Sequence, residues 1–540
     1  MKILYPSEIV WTSGKIDNVK NLSVKKSEQI GLTETVTTVM NGKSSAVIDF
    51  GKEIAGSVRI LCYTVKKPDN KIRLRFGESV SEVMHNIGEK GSTNDHSVRD
   101  MTVELESFSD MVFGKTGFRF IRIDSLSENS VFEIKSILAE TDIFSKKFIG
   151  NFSCDDQTVN KIFNTAAYTL RLCLQNGMIW DGIKRDRLVW IGDIHPEMMS
   201  VTCLFGSLSN IEKSLTFVKE QSPLPSWMNN IPMYSFWWII ILHDYYIQNN
   251  NYDYLIKQKE YIVNLVGYID GFVKENGETD FPSNFIDWPT HDEDGTDFVK
   301  LQDELAGVNA LAEIAFKKAK KLLEIIGEDT SVCSHILEKL SRKTFKVKKY
   351  KQIAALESLA GVKNEYNREL LLDGGAEGMS TFMSYYILKA VSDYGDYNEA
   401  LNMTRDYYGG MLKMGATTFW EDFDIKWMDN AVGIDKMPIE GKTDIHGDFG
   451  AYCYKGLRHS MCHGWSSGVI PYLMRVVLGV EVVEAGCKKV RINPHLSGLK
   501  FVKGEYPTPY GVIKIMHRKG KDGKVISTIT APKGVKIIKR

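Results

Sequence analysis

The chain has 540 residues, 43% hydrophobic and 25% charged, which describes a folded protein of roughly two to four domains and not a disordered one. Lys plus Arg balances Asp plus Glu at 68 against 68, so no global field draws the protein to nucleic acid or to an anionic membrane. The N-terminus, MKILYPSEIVWTSGK, lacks a signal-peptide apolar core, and the most apolar run, FWWIIIL at 236–242, is far short of the roughly 20 residues that span a bilayer. A buried helix is expected there. The eight cysteines are scattered without a CxxC pair, which reads as reduced, buried thiols of a cytoplasmic protein, with neither a disulfide framework nor a zinc site.

Residues 1–148 read as β structure. Segments 45–50, 56–65, 71–76 and 117–123 are short, rich in Val, Ile and Phe, and punctuated by Gly, Asn or Asp. KIRLRF alternates cleanly, with Ile72, Leu74 and Phe76 on one face and Lys71, Arg73 and Arg75 on the other. GFRFIRI carries apolar residues on both faces, as a strand covered on both sides would. The pattern predicts a β-sandwich domain.

From about residue 153 the period becomes helical. Ile162, Phe163, Ala166, Ala167, Leu170, Cys173 and Leu174 follow three- and four-residue spacings, and Asn176-Gly177 offers a stop. Further helices are expected near 208–220, 234–248, 253–275, 301–326, 330–341, 377–393, 396–413 and 464–479, with another starting near Pro196. No strands intervene, so a toroid of helical hairpins fits residues 149–480 better than a TIM barrel. Strands return at 489–492, 511–517, 525–530 and 535–539. Residues 481–540 are too few for an independent core and are expected to pack on the helical domain.

Four segments carry candidate chemistry. WDGIKRDRLVWIGDIHPE, at 180–197, holds Asp181, Asp186 and Asp193 among Lys184, Arg185 and Arg187, with Trp180 and Trp190. Carboxylates beside cations and apolar walls can be held in different protonation states, as acid/base catalysis requires. Indole faces suit the CH faces of sugars. The plain alternative is a salt-bridged interhelical loop. GATTFWEDFD, at 415–424, offers Glu421 beside Trp420, or a helix cap. FIDW, at 285–288, offers Asp287 and Trp288, or a turn with a core Trp. SMCHGWSSG, at 460–468, offers His463, or a structural histidine. It is not a GxSxG elbow, and no Walker loop, GxGxxG or HExxH occurs, so neither cofactor nor metal is called for.

In order and neighbourhood these segments resemble the α-L-rhamnosidases of glycoside hydrolase family 78. That family opens its helical domain with a loop of the type Asp-Cys-Pro-x-Arg-x-Glu-Arg-x-x-Trp-x-Gly-Asp, followed later by Thr-Thr-x-Trp-Glu and then by a His before a Gly-containing helix. The counterparts here are DGIKRDRLVWIGD, GATTFWED and CHGWSSG. IDFGKEIAG, RFGES and EYPTPYGVIKI in the flanking β segments are similar as well. The resemblance implies an all-α (α/α)6 barrel flanked by N- and C-terminal β-sandwich domains. It also implies an exo-acting, inverting glycosidase without cofactor or metal, releasing terminal L-rhamnose.

Carried over, Asp186 takes the place of the general acid and Glu421 that of the general base. Asp181, Arg185, Trp190, Asp193, Asp287, Trp288, Trp420 and His463 take substrate-binding places. The sequence departs in three ways: Gly182-Ile183 replaces Cys-Pro, the loop is one residue shorter, and the acid is Asp instead of Glu. Losing a methylene draws the carboxyl back, so either the loop compensates or the acid lies elsewhere. Two rivals stay open. One is the same fold acting on another sugar or on a uronic-acid-containing oligosaccharide, by hydrolysis or elimination, with the cations of 184–187 holding a carboxylate. The other is an inactive carbohydrate-binding protein. The expected partner is a carbohydrate, not nucleic acid or membrane; a homodimer is left open.

Overall fold

Val, Ile and Phe at alternate positions build a seven-stranded N-terminal sheet whose pairings are all antiparallel. The computed structural model describes residues 2–66, 69–292 and 296–539. The segments 45–50 and 56–65 belong to one long strand, Thr38–Lys66, flanked by Glu8–Asp17, Ser109–Ser125 and Val131–Thr141. Its register shifts around Gly56, where a Cβ would lie 1.9 Å from the Glu140 carbonyl oxygen, so only glycine admits that approach. Ile72, Leu74 and Phe76 are buried as the alternation requires. Arg75 on the opposite face is buried too, held by Asp124 at 2.9 Å. Segment 117–123 is covered on both faces, and its Arg119 is neutralised by Asp49 at 2.7 Å.

The helical region begins with Gln157–Cys173, capped by Asp156, whose carboxylate accepts the N–H groups of Thr158 at 2.8 Å and Val159 at 3.2 Å. The next helix starts at Ile191, not near Pro196, and all its residues through Phe205 are buried. Pro196 therefore sits inside the helix and removes one backbone bond. Asp193, in the helix's first turn, is thereby placed at its N-terminal end. Ile191–Phe205 packs on Pro232–Asn249, that helix on Phe298–Ile326, then Lys351–Ala360, then Ser384–Asp393. Val469–Tyr472 packs on both Ser384–Asp393 and Ile191–Phe205, so the succession returns to its start. FWWIIIL is wholly buried within Pro232–Asn249.

Three expectations are corrected here. The stretch 253–275 is broken into Tyr252–Ile256 and Lys259–Asp270, the helix expected from 377 begins at Ser384, and 464–479 is a 3-10 turn, a short α-helix and a π-turn. Gly374, Gly375 and Gly378, all with positive φ, keep the chain out of helix before Ser384.

The C-terminal strands pair into a three-stranded and a four-stranded sheet. The four-stranded sheet takes its edge strand, Asn151–Cys154, from just before the first long helix, through antiparallel pairing with Phe501–Thr508. Val490, Ile492, Val502, Tyr506, Ile513 and Ile515 share one apolar core with the helices, as a tail too small for its own core must. The eight cysteines are free, and all but Cys453 are buried. Among the described residues no helix is long and apolar enough to cross a membrane.

Candidate active site

The loop after Trp180 is closed at its base by Asp181, whose carboxylate accepts the Leu188 N–H at 2.8 Å and whose carbonyl accepts the Gly464 N–H at 2.6 Å. Inside it, Asp186 and Arg187 both adopt left-handed backbone, with φ of 53° and 56°. Such conformations cost an L-residue about 1–2 kcal/mol each and persist only where the surroundings impose them. Arg187 is the clamp: its guanidinium donates to the carbonyls of Lys115 (3.0 Å) and His96 in the N-terminal region. Asp186 is thereby turned outward, 3.3 Å from Arg185 and 3.4 Å from His96 Nε2.

Glu421 approaches from the other side, on the segment after helix Tyr397–Lys413. Its N–H donates to the Ser460 carbonyl at 2.9 Å, its Oε2 accepts the Ser460 N–H at 3.2 Å, and its carbonyl accepts the Trp465 indole N–H at 2.8 Å. Its Oε1 takes the guanidinium of Arg185. Burial pushes the Glu421 carboxyl up, but Arg185, followed by His463 and His459, more than reverses this and brings it down to about 2. Glu421 is a carboxylate at any working pH.

His463 Nε2 lies 2.9 Å from Asp193 Oδ1. Burial disfavours its charge, yet Glu421, Asp193 and Asp181 around it raise it to about 9, so the ring is an imidazolium. Burial pushes Asp181 well up and Asp193 up, the latter opposed by its bond to His463. An antiparallel bridge between Gly182 and His463 ties the two loops together by backbone.

These side chains surround one cavity of about 420 Å³. Asp181, Arg185, Asp186, Trp190, Asp193, Trp288, Glu421 and His463 all line it. Two expected residues do not. Trp420 is completely buried against Phe423, in the apolar core behind Glu421, because successive residues of this extended segment point to opposite sides. Asp287 is buried one layer back, accepting bonds from the Trp288 N–H at 2.9 Å and the Ser380 hydroxyl, and so caps the turn that presents Trp288. Burial raises Asp287 to about 7.

The cations of 184–187 are also committed. Lys184 is buried between Glu82 (3.0 Å) and Glu78 (3.5 Å) and donates to the carbonyls of Leu457 (2.6 Å) and His459 (2.7 Å). With Arg187 on backbone, Arg185 is the one cation of this cluster that lines the cavity, and it is paired with Glu421. Glu78, in RFGES, and Glu82 just after it belong to the N-terminal region, so this stretch fastens the loop after Trp180 to the β domain through Lys184.

Several cavity residues carried no sequence signal: Ile231, Tyr234, Cys453 and Arg458. Trp465 could have been found, since it follows His463 closely in CHGWSSG. His96 could not, being a lone histidine in a turn-rich stretch far upstream. Among the described residues no group of three or more His, Cys, Asp or Glu side chains is arranged to hold a metal ion.

Residues 147–334 match the family model described as the bacterial alpha-L-rhamnosidase 6 hairpin glycosidase domain, and residues 479–538 match the bacterial alpha-L-rhamnosidase C-terminal domain. No curated protein sequence matches the chain significantly. Among solved structures, the chain is similar to a GH78 family rhamnosidase of Bacillus sp. GL1, at 19% identity and a TM-score of 0.73, over 97% of this chain and 55% of that one. It is also similar to an alpha-L-rhamnosidase from Dictyoglumus thermophilum, at 17% identity and a TM-score of 0.69, over 99% and 58%. A rhamnosidase from Klebsiella oxytoca, solved with rhamnose bound, is 17% identical with a TM-score of 0.67, over 87% and 95%. The chain thus spans little more than half the length of the first two. At these identities the structures speak for the fold alone, and each family model speaks for the segment it matches. The chain thus carries a segment similar to the six-hairpin glycosidase domain of the bacterial α-L-rhamnosidases, flanked by β-rich regions of which the last is similar to their C-terminal domain.

Proposed function

We propose that the protein is an exo-acting α-L-rhamnosidase that hydrolyses its glycoside with inversion, with Asp186 as general acid and Glu421 as general base. One observation carries this reading: a single guanidinium, Arg185, touches both carboxylates at the wall of a sugar-sized cavity. The two differ in setting. The Glu421 side chain is 3% exposed and that of Asp186 18%, which suits a base acting on a water enclosed with the sugar and an acid at the mouth where the leaving group departs. Glu421 removes a proton from water as its oxygen attacks the anomeric carbon; Asp186 delivers a proton to the glycosidic oxygen as that bond breaks. Asp181, Asp193 and His463 face the sugar hydroxyls, and Trp190, Trp288 and Trp465 its CH faces. Ile231, Tyr234 and Phe285 form an apolar corner that suits the methyl group of a 6-deoxy sugar. The left-handed turn at Asp186 and Arg187 is how the shortened loop aims a shorter acid.

The test is a panel of aryl glycosides with the α-L-rhamnoside first, followed by proton NMR of the earliest product. Release of β-L-rhamnose as the first anomer is expected. Release of the α-anomer overturns inversion, and inactivity on the rhamnoside with turnover of another glycoside overturns the substrate.

We further propose that the returning helix succession is an (α/α)6 barrel, with sandwich-type β domains at 1–148 and 481–540 and the catalytic domain at 149–480. The buried thiols favour a reducing, cytoplasmic setting.

Two expected results follow from the contacts of the site. Its acids are held by Arg185, His463 and backbone N–H groups, so dialysis against a chelator should leave turnover largely intact; complete loss, restored by one metal, contradicts the site. His96 touches Asp186 from the N-terminal region and is expected to position it. On a glycoside with a poor leaving group, His96→Ala should lower kcat about tenfold, the low end of the scale for general acid catalysis. On an activated aryl glycoside it should change little, and His96→Gln should recover part of the loss. Equal losses on both substrates would make His96 merely structural.

A further inference from the structure

A second cavity, of about 600 Å³, lies apart from the catalytic one. It lies between the helices and the start of the C-terminal β region, lined by the end of Pro232–Asn249, by Ser384–Asp393 and by Val480–Val482. The helix Pro232–Asn249 separates the two cavities: Tyr234 faces the catalytic one and Asp244 the other. Ten residues at 1.5 Å each put them about 15 Å apart along this helix.

Most of the charged groups that line this second cavity are already paired. Asp244 is satisfied by Lys318, by His195 at 3.0 Å and by His243 at 2.7 Å. Asp393 is taken by Lys389, and Glu481 by Arg491 at 2.8 Å. That leaves Arg475, on the π-turn Leu473–Val477, a geometry frequent at functional sites. Its guanidinium is half-buried and bonds the neutral side chains of Cys203 and Tyr506; among the described residues it has no ion pair. An arginine is always charged, and although Asp244 favours that charge from a distance, Lys318 already pairs this carboxylate, so among the described residues no acid makes a direct ion pair with the guanidinium. Beside it the cavity wall carries the edge of the buried Tyr385 and Tyr397, whose one face is stacked on His495 at 3.6 Å and whose other face is of the kind that packs on a sugar ring.

We propose that this cavity is a second binding site, for a small hydroxylated ring bearing one acidic group, with the anion at Arg475 and the ring against the tyrosines. A sugar carboxylate and a sugar phosphate share that chemistry. The site is independent of the catalytic reading.

Calorimetric titration of the full chain with glucuronate and with glucose 6-phosphate tests it, with glucose as the neutral control. At least one anion should bind at least tenfold more tightly than glucose, and the better of the two identifies the acidic group. Arg475→Gln should weaken that binding about tenfold or more, the scale of a lost charge-assisted contact. Because Arg475 is partly buried and the variant could fold poorly, Lys389→Glu, at the exposed rim, is the second variant and should weaken binding several-fold. Glu421→Gln should leave it unchanged. Failure of both anions to bind at 10-millimolar order, binding no tighter than glucose, or retention of binding in Lys389→Glu overturns the proposal. Loss in Glu421→Gln would place the anion in the catalytic cavity and overturn it too.

Discussion

Asp186→Asn should reduce turnover of a glycoside with a poor leaving group by about 10²–10⁴-fold, and that of an activated aryl glycoside far less. The reason is the division of labour between bond breaking and proton delivery. A sugar or alcohol cannot depart as an alkoxide, so the proton must reach the glycosidic oxygen while the bond cleaves. An activated phenol departs without it. The geometry adds a second consequence. Asp186 is held by Arg185 at 3.3 Å and His96 at 3.4 Å, so the amide of the Asn variant keeps the shape of the turn while losing the proton. Substrate binding should therefore change little, and the loss should appear in kcat. Measuring kcat and KM on one good and one poor leaving group decides the matter. Equal losses on both would remove Asp186 as the acid and make it a binding residue.

Glu421→Gln should lose about 10²–10⁴-fold on both substrates, because water must be deprotonated whichever group leaves. The environment of Glu421 makes a further expectation about pH. Its carboxyl is held down to about 2, so protonation of the base should not appear in the kcat/KM profile until the pH falls toward that value. Any loss of activity at higher pH on the acid side must come from another group. The depression depends on Arg185, since burial acts in the opposite direction. Arg185→Gln should therefore let burial prevail and move the acid limb of kcat/KM upward by about two or more pH units, the range available to a buried carboxyl. An acid limb unmoved in Arg185→Gln would show that Glu421 is not the base that limb reports. A small pH-independent loss in Glu421→Gln would do the same by a second route.

The order of textures was legible in the sequence because period and punctuation are local. KIRLRF had to bury Ile72, Leu74 and Phe76 in a strand, and Ile162 through Leu174 had to form one face of a helix. The helix start at Ile191 was not legible, since Pro196 is a strong start signal and nothing nearby in the chain shows that Ile191–Phe205 is buried on every side. The broken stretch at 253–275 failed for a related reason: apolar spacing continues across a break that packing imposes.

For the site, the sequence by itself determined which residue types were present and in what order: acids beside arginines and tryptophans, then Glu421, then His463. These sit in short contiguous motifs, and the chemistry of each motif is a property of its own residues. Tertiary structure alone decided their roles. It faced Trp465 into the cavity and Trp420 into the core, and it made Asp287 a cap one layer behind the wall. It committed Lys184 to Glu78 and Glu82, and it brought His96 from the N-terminal region to Asp186. It also set the charge states, because desolvation and ion pairing depend on what distant segments place beside a group. Glu421 is ionised through Arg185, and His463 is charged through three carboxylates drawn from two other segments of the chain. Spacing along a chain carries no information about such neighbours until the chain has folded around them.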